Sequence, residues 1–225
     1  MTWVKICGMT NVEDSLTAVE AGANAVGFVF YEKSPRCVTV ETALEICDGL
    51  PESVEKVGVF VNESEERIRC VARDAGLTAV QIYCTTTIAS SGSPELEVRL
   101  YGFKVIVAMG TDRLVSGSIV TGSLTGSFVH AILVDSGSGD RPGGTGETFD
   151  WEKNREYVRN LGTIPGMRVI VAGGLKPENV GSAIDVFAPW GVDVVSGVET
   201  RPGKKDPEKV RAFVRAVRER DRRAS

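Results

Sequence analysis

Histidine is almost missing from this chain of 225 residues: His130 is the only one. A single imidazole removes most zinc-ligand sets and most histidine-based nucleophilic triads. There is no C-x-x-C pair. The five cysteines, an odd number without regular spacing, fit reduced thiols in a cytosolic protein better than a disulfide framework. Long apolar runs are lacking too. The longest, such as 128–134, are strand-sized and far too short to span a bilayer. The N-terminus enters a strand directly, with no basic segment and apolar stretch of an export signal. Net charge is -4, and basic residues cluster only at the C-terminus, so nothing argues for nucleic acid or a membrane surface as partner. Catalysis is left to carboxylates, thiols, lysines or the backbone, and no metal is expected.

What the chain does have is repetition. Apolar, β-branched stretches at 3–6, 25–30, 56–61, 78–83, 103–108, 128–135, 168–172 and 192–195 read as strands buried on both faces. Between them lie helical segments. Thr10 with Glu13 and Asn62 with Glu65 suggest capping boxes, and Val12, Leu16 and Val19 suggest the apolar side of the first helix. Thr39 and Asp150 are further caps, and Pro177 and Pro207 suit first-turn positions. Residues 84–93 form a polar loop, 94–100 a short helix, 111–126 a poor helix, and 136–148 a long glycine-rich loop. The last helix carries Val210, Phe213, Val214 and Val217 on one stripe, with 220–225 as a frayed end.

Eight strand–helix units, roughly twenty-five residues apart, predict a single α/β domain over residues 1–225, a (β/α)₈ TIM barrel with eight parallel strands. A doubly wound open sheet would usually show G-x-G-x-x-G after its first strand, and Cys7-Gly8-Met9-Thr10 is not that pattern.

In such barrels the active site lies at the C-terminal strand ends. The first strand ends at Cys7 and the sixth at Asp135, two proton carriers well separated around the rim. A reaction that removes a proton on one side of a substrate and donates one on the other needs such a pair. A buried structural thiol and a loop carboxylate are the plain alternatives. Strands seven and eight end in Gly173-Gly174 and Ser196-Gly197, where backbone N–H groups can face a phosphate. Arg36 offers a planar fork for a second anion such as a carboxylate. Lys5 shares the inward face with Cys7 and is expected to pair with Asp193 across the barrel closure. His130, of opposite parity to Asp135, is expected to face the surrounding helices.

These motifs, taken together, resemble the phosphoribosylanthranilate isomerase family of tryptophan biosynthesis. The resemblance spans nearly the whole chain: Val4-Lys5-Ile6-Cys7-Gly8-Met9-Thr10, Gly27-Phe28-Val29-Phe30 with Ser34-Pro35-Arg36, Val57-Gly58-Val59-Phe60, and Val134-Asp135-Ser136. It continues through Gly143-Gly144-Thr145-Gly146, Ala172-Gly173-Gly174-Leu175, Ser196-Gly197-Val198-Glu199 and Gly203-Lys204-Lys205-Asp206. It implies an Amadori rearrangement of N-(5-phosphoribosyl)anthranilate to the carboxyphenylamino-deoxyribulose phosphate. Asp135 would be the general acid and Cys7 the general base. Arg36 would hold the anthranilate carboxylate, and Gly173, Gly174, Ser196 and Gly197 the phosphate. Gln81 and Gly144 complete the expected substrate contacts. The implied partner is a small phosphosugar molecule, with no cofactor, in a cytoplasmic monomer or homodimer. Two departures stand out. The fourth strand, where the family usually ends Gln-Leu-His-Gly, here ends Gln81-Ile82-Tyr83-Cys84, and Val195 replaces a more usual serine. Two other functions stay open on the residues alone: another phosphosugar barrel, such as a synthase or the aminoaldose isomerase of histidine biosynthesis, or a barrel that binds phosphate without turnover.

Overall fold

Odd and even residues of β1 (Trp3–Cys7) face different surroundings. Val4 and Ile6 pack outward against the helices, while Trp3 belongs to an inner cluster with Ala25, Val57, Ala79, Ile106 and Ile170. This two-residue alternation runs through β2 (Ala25–Val29), β3 (Glu55–Val61), β4 (Ala79–Tyr83), β5 (Lys104–Gly110), β6 (Val129–Asp135), β7 (Val169–Val171) and β8 (Gly191–Val194). All pairings are parallel, and β8 returns to β1 to close an eight-stranded barrel. The expected (β/α)₈ architecture is therefore present. The computed structural model describes residues 1–83, 100, 102–111, 129–137 and 148–224. The sequence-based expectations for 84–99 and 112–128, and for Gly144 with most of its loop, lie outside the described residues.

The described helices are α1 (Val12–Glu20), α2 (Val40–Asp48), α3 (Glu65–Asp74), α4 (Trp151–Gly162), α5 (Val180–Phe187) and α6 (Pro207–Ala224). None is long and apolar enough to cross a membrane. Thr39, Asp150 and Asp206 cap as expected, each accepting from a backbone N–H of the first turn. Other details differ. Asn11, not Thr10, caps α1 by accepting from Asp14 N, because the Thr10 hydroxyl is donated to Gly203 O. Ser64, not Asn62, caps α3, and Asn62 takes a left-handed backbone with φ 50°. Pro177 lies in a turn that Asn179 closes by accepting from Lys176 N, so α5 begins only at Val180. Leu16 is exposed, and α1 turns Ser15 and Ala18 inward instead. The C-terminal end is helical to Ala224 rather than frayed, with Arg220 paired to Asp185 and Asp221 accepting from Thr2 N. The stripe Val210, Phe213, Val214 and Val217 is buried as expected.

His130 is the main departure in the barrel. The β5–β6 register shifts between Val105 and Ile106, so Val105 pairs with Val129 but Ile106 with Ala131. This bulge takes His130 out of the alternation. Instead of facing helices, it lies at the end of the barrel opposite Asp135, edge-on to Trp190 at 6.0 Å. Trp190 stacks on Trp3 at 5.1 Å, and the Arg168 guanidinium sits 5.0 Å from its ring centre. Arg168 Nη1 is 2.7 Å from His130 Nε2. Burial and the Arg168 charge push the imidazole below its usual range, so His130 is a neutral packing residue there.

Lys5 stands opposite Asp193 in the β1–β8 register. Its ammonium lies 2.8 Å from Asp193 Oδ1, with both residues buried, as the sequence led us to expect. Burial pulls the Lys5 ammonium down, but Asp193 and, after it, Cys7 together more than offset this and hold it above its usual range. Removing one partner of such a pair leaves an uncompensated buried charge. Asp193→Ala should therefore cost about 3–5 kcal/mol of stability. The check is a lowered urea midpoint at unchanged slope, and a loss below about 1 kcal/mol would mean the ammonium has other support.

Candidate active site

The inward positions at the C-terminal ends of the strands open into one cavity with about 700 Å³ of space, part of it open to solvent. Cys7 enters from β1, Gln81 and Tyr83 from β4, Asp135 from β6, and Asp193 from β8. All five are odd-numbered, inward-facing positions of their strands, which is why the alternating pattern brings them together.

Cys7 is buried, and it fits because the neighbouring strand carries Gly27. A Cβ at Gly27 would lie 2.5 Å from Cys7 Sγ. Burial pushes the Cys7 thiol up, while the Lys5 ammonium on the same face pulls in the other direction without cancelling it. The thiolate, once formed, is therefore a strong base beside a fixed positive charge. Asp135 is buried across the cavity. Its Oδ2 accepts a 2.8 Å hydrogen bond from the Tyr83 hydroxyl, and Ser136 Oγ lies 3.3 Å from Oδ1.

Arg36 reaches the cavity wall from the segment after β2, but its fork is already engaged. Nε and Nη2 donate to the two oxygens of Glu199 at 2.9 and 2.7 Å. This bidentate pairing fixes the plane of the guanidinium and leaves Nη1 and one Nη2 hydrogen for a ligand. Glu199 also accepts from Lys205 Nζ at 3.0 Å. Burial works against the Glu199 charge, yet Arg36 and Lys205 together hold its carboxyl below the usual range. Lys205 donates in addition to Cys7 O at 2.6 Å and Val195 O at 3.2 Å, tying the ends of β1 and β8 together.

Glu199 and Lys205 belong to a small antiparallel hairpin, β9 (Glu199–Arg201) and β10 (Lys204–Lys205), that turns at Gly203 with φ 80°. Lys204 Nζ reaches Asp14 Oδ1 at 2.7 Å and pins this hairpin to α1. No functional role for Glu199, Lys205 or Tyr83 was apparent in the sequence. The available signal was weak: four charges, Glu199, Arg201, Lys204 and Lys205, soon after a strand end, and a polar aromatic residue two positions beyond Gln81 on the inward face.

On the far wall, Gly173 and Gly174 have φ of 83° and 61°, backbone conformations that favour glycine. A Cβ at Gly173 would meet Ser136 N at 2.5 Å. Gly173, Gly174 and Ser196 line the cavity, whereas Gly197 packs behind them, where a Cβ would lie 1.9 Å from Leu175 O. Ser196 opens a short 3₁₀ turn, Ser196–Val198. Backbone donors at such turns suit an anion. Gln81 is buried and its Oε1 has no hydrogen-bond partner among the described residues. A buried orphan acceptor facing a cavity is a natural contact for a ligand hydroxyl or N–H. Among the described residues there is no group of three or more His, Cys, Asp or Glu side chains placed to hold a metal ion.

The family model for N-(5'-phosphoribosyl)anthranilate isomerase matches residues 4–216. The chain belongs to that family. The isomerase of Citrifermentans bemidjiense is 43% identical over 214 residues, which is 95% of this chain and 96% of that one. The structure of the phosphoribosyl anthranilate isomerase from Thermotoga maritima is 39% identical, with a TM-score of 0.77 over 97% of this chain and 100% of the other. A phosphoribosyl anthranilate isomerase in complex with reduced 1-(o-carboxyphenylamino)-1-deoxyribulose 5-phosphate superposes with a TM-score of 0.75 at 38% identity, covering 97% of this chain and 100% of that one. In this isomerase, then, the expected residues Cys7, Arg36, Gln81, Asp135, Gly173, Gly174 and Ser196 meet in one cavity, and Gly197 buttresses it. Gly144 alone lies outside the described residues.

Proposed function

We propose that Cys7 and Asp135 are the general base and general acid of the aldose–ketose isomerisation of N-(5'-phosphoribosyl)anthranilate, the tryptophan-biosynthetic reaction of this family. The observation that carries the assignment is the presence of a buried thiol and a buried carboxyl on separate strands, both inward and both lining one cavity. Asp135 gives its proton to the furanose ring oxygen, the C1–O bond breaks, and the anilino nitrogen supplies the electron pair that forms the protonated Schiff base. Cys7 as thiolate then takes the proton from C2, giving the enolamine. C1 gains a proton and the C2 hydroxyl loses one, which yields the ketone. General acid–base steps of this kind need both groups within reach of one bound sugar, and that is what supports the pairing. A barrel of the histidine-pathway type would use two aspartates, and the base position here holds Cys7.

The anions at either end of the substrate have complementary walls. Arg36 takes the anthranilate carboxylate with the donors that Glu199 leaves free, while Gly173, Gly174 and Ser196 take the phosphate, with Gly197 behind them. Gln81 accepts from a substrate hydroxyl or amine, and Gly144 is a further substrate contact. The partner is this small molecule, not nucleic acid. The chain acts as one barrel domain over residues 1–225 in the cytoplasm, where its thiols stay reduced. It works as a monomer or homodimer; the Thermotoga maritima relative is a dimeric isomerase of which monomers have been generated.

Glu199→Gln should raise KM about tenfold and leave kcat within about threefold, the magnitude of a weakened charge-assisted bond. Steady-state kinetics read this directly, and an unchanged KM would show that Arg36 needs no support from Glu199. The function itself is tested by giving the purified protein its substrate, made in situ, and following the loss of the substrate's own fluorescence. Rapid loss with formation of the ketose is expected; persistent fluorescence at micromolar protein would overturn the assignment.

A further inference from the structure

Tyr83 is the last residue of β4. It lies two residues beyond Gln81, on the inward face, and its ring packs against the inner cluster of the barrel. From there its hydroxyl crosses to β6 and donates to Asp135 Oδ2 at 2.8 Å. The other carboxyl oxygen has only longer contacts, 3.3 Å to Ser136 Oγ and 3.4 Å to Gly137 N. The phenol is therefore the one short hydrogen bond to Asp135 among the described residues. Burial, and after it the charge of Asp135, push the Tyr83 hydroxyl well above its usual range, so it stays protonated and remains a donor.

We infer that Tyr83 is a positioning residue for the general acid: it fixes the Asp135 carboxyl and favours the carboxylate that remains after the proton has moved to the substrate. This rests on the assignment of Asp135 proposed above. The physical reason is that a hydrogen bond to an ionised acceptor is roughly twice as strong as one to a neutral acceptor. The Tyr83–Asp135 bond accordingly strengthens as proton transfer proceeds. An interaction stronger in the transition state than in the ground state acts on kcat, whereas one equal in both acts on KM. With Oδ2 held by the phenol, the transferable proton is directed to Oδ1.

The test compares wild type, Tyr83→Phe and Tyr83→His in steady-state turnover of N-(5'-phosphoribosyl)anthranilate, with melting curves alongside. Phe keeps the ring and its packing and removes only the O–H, while His restores an N–H donor. Tyr83→Phe is expected to lower kcat about 10–30-fold, the scale of a lost charge-assisted bond, with KM within about threefold and an unshifted melting curve. Tyr83→His should recover most of the loss. An active wild type with Tyr83→Phe inside twofold of it, or with the loss confined to KM, overturns the inference alone. Equal losses in both variants overturn it as well. A wild type that leaves the substrate unchanged overturns the isomerase assignment and this inference with it.

Discussion

Asp135→Asn is expected to lower kcat by about 10²–10⁴-fold, the usual worth of a positioned general acid, with little change in melting temperature. Asn has the shape of Asp, and its carbonyl oxygen can still accept from Tyr83, whose hydroxyl lies 2.8 Å from Asp135 Oδ2 in the native site. What it cannot do is give a proton to the ring oxygen and become an anion. The ring-opening step thus loses its acid while the cavity stays intact. KM should move little, because neither the Arg36 fork nor the glycine wall depends on this carboxyl. Steady-state kinetics with the purified variant decide the matter. A fall in kcat of less than about tenfold would place the acid elsewhere.

Cys7→Ser should be damaged at least as severely, by about 10³–10⁴-fold in kcat, near the upper end for a lost base. The hydroxyl is close to isosteric with the thiol, so the tight fit over Gly27 is preserved. A serine hydroxyl, however, is a far weaker acid than a thiol. Burial already pushes the Cys7 thiol up, and the same surroundings would leave serine without a useful population of alkoxide even beside Lys5. Binding should survive. The reduced product analogue found in a solved relative is a suitable probe, and calorimetry should give a Kd within about threefold of wild type if only a proton acceptor is lost. Loss of binding together with turnover would mean that Cys7 shapes the cavity rather than acting as the base.

Much of this site was legible in the sequence because a closed parallel barrel obeys one simple period. Once the eight strands are placed, parity alone puts Lys5, Cys7, Gln81, Asp135 and Asp193 inside, and closure sets Lys5 opposite Asp193. The same rule failed at His130, where the β5–β6 register shifts; a bulge leaves no mark in a run of apolar residues. Helix starts were misread where two capping residues stand close together. Thr10 and Asn11, or Asn62 and Ser64, are near-equivalent by type, and the choice falls to tertiary bonds such as Thr10 to Gly203. The supporting residues were the least legible. Glu199 and Lys205 act from a hairpin whose strands are only three and two residues long, too short for periodicity to register. Tyr83 meets Asp135 only because the sheet curves β4 and β6 toward a common centre, and sequence spacing carries no trace of that distance.

The central claim is that the sugar rearranges by proton transfer through Cys7 and Asp135 across one cavity. The most direct test is to run the wild-type reaction in heavy water and locate deuterium in the ketose by NMR. Proton transfer to a thiolate that exchanges with solvent predicts one deuterium at C1, with none at the remaining carbon-bound positions. A product that carries the original C2 hydrogen at C1, and no solvent deuterium, would show transfer without exchange and contradict the account.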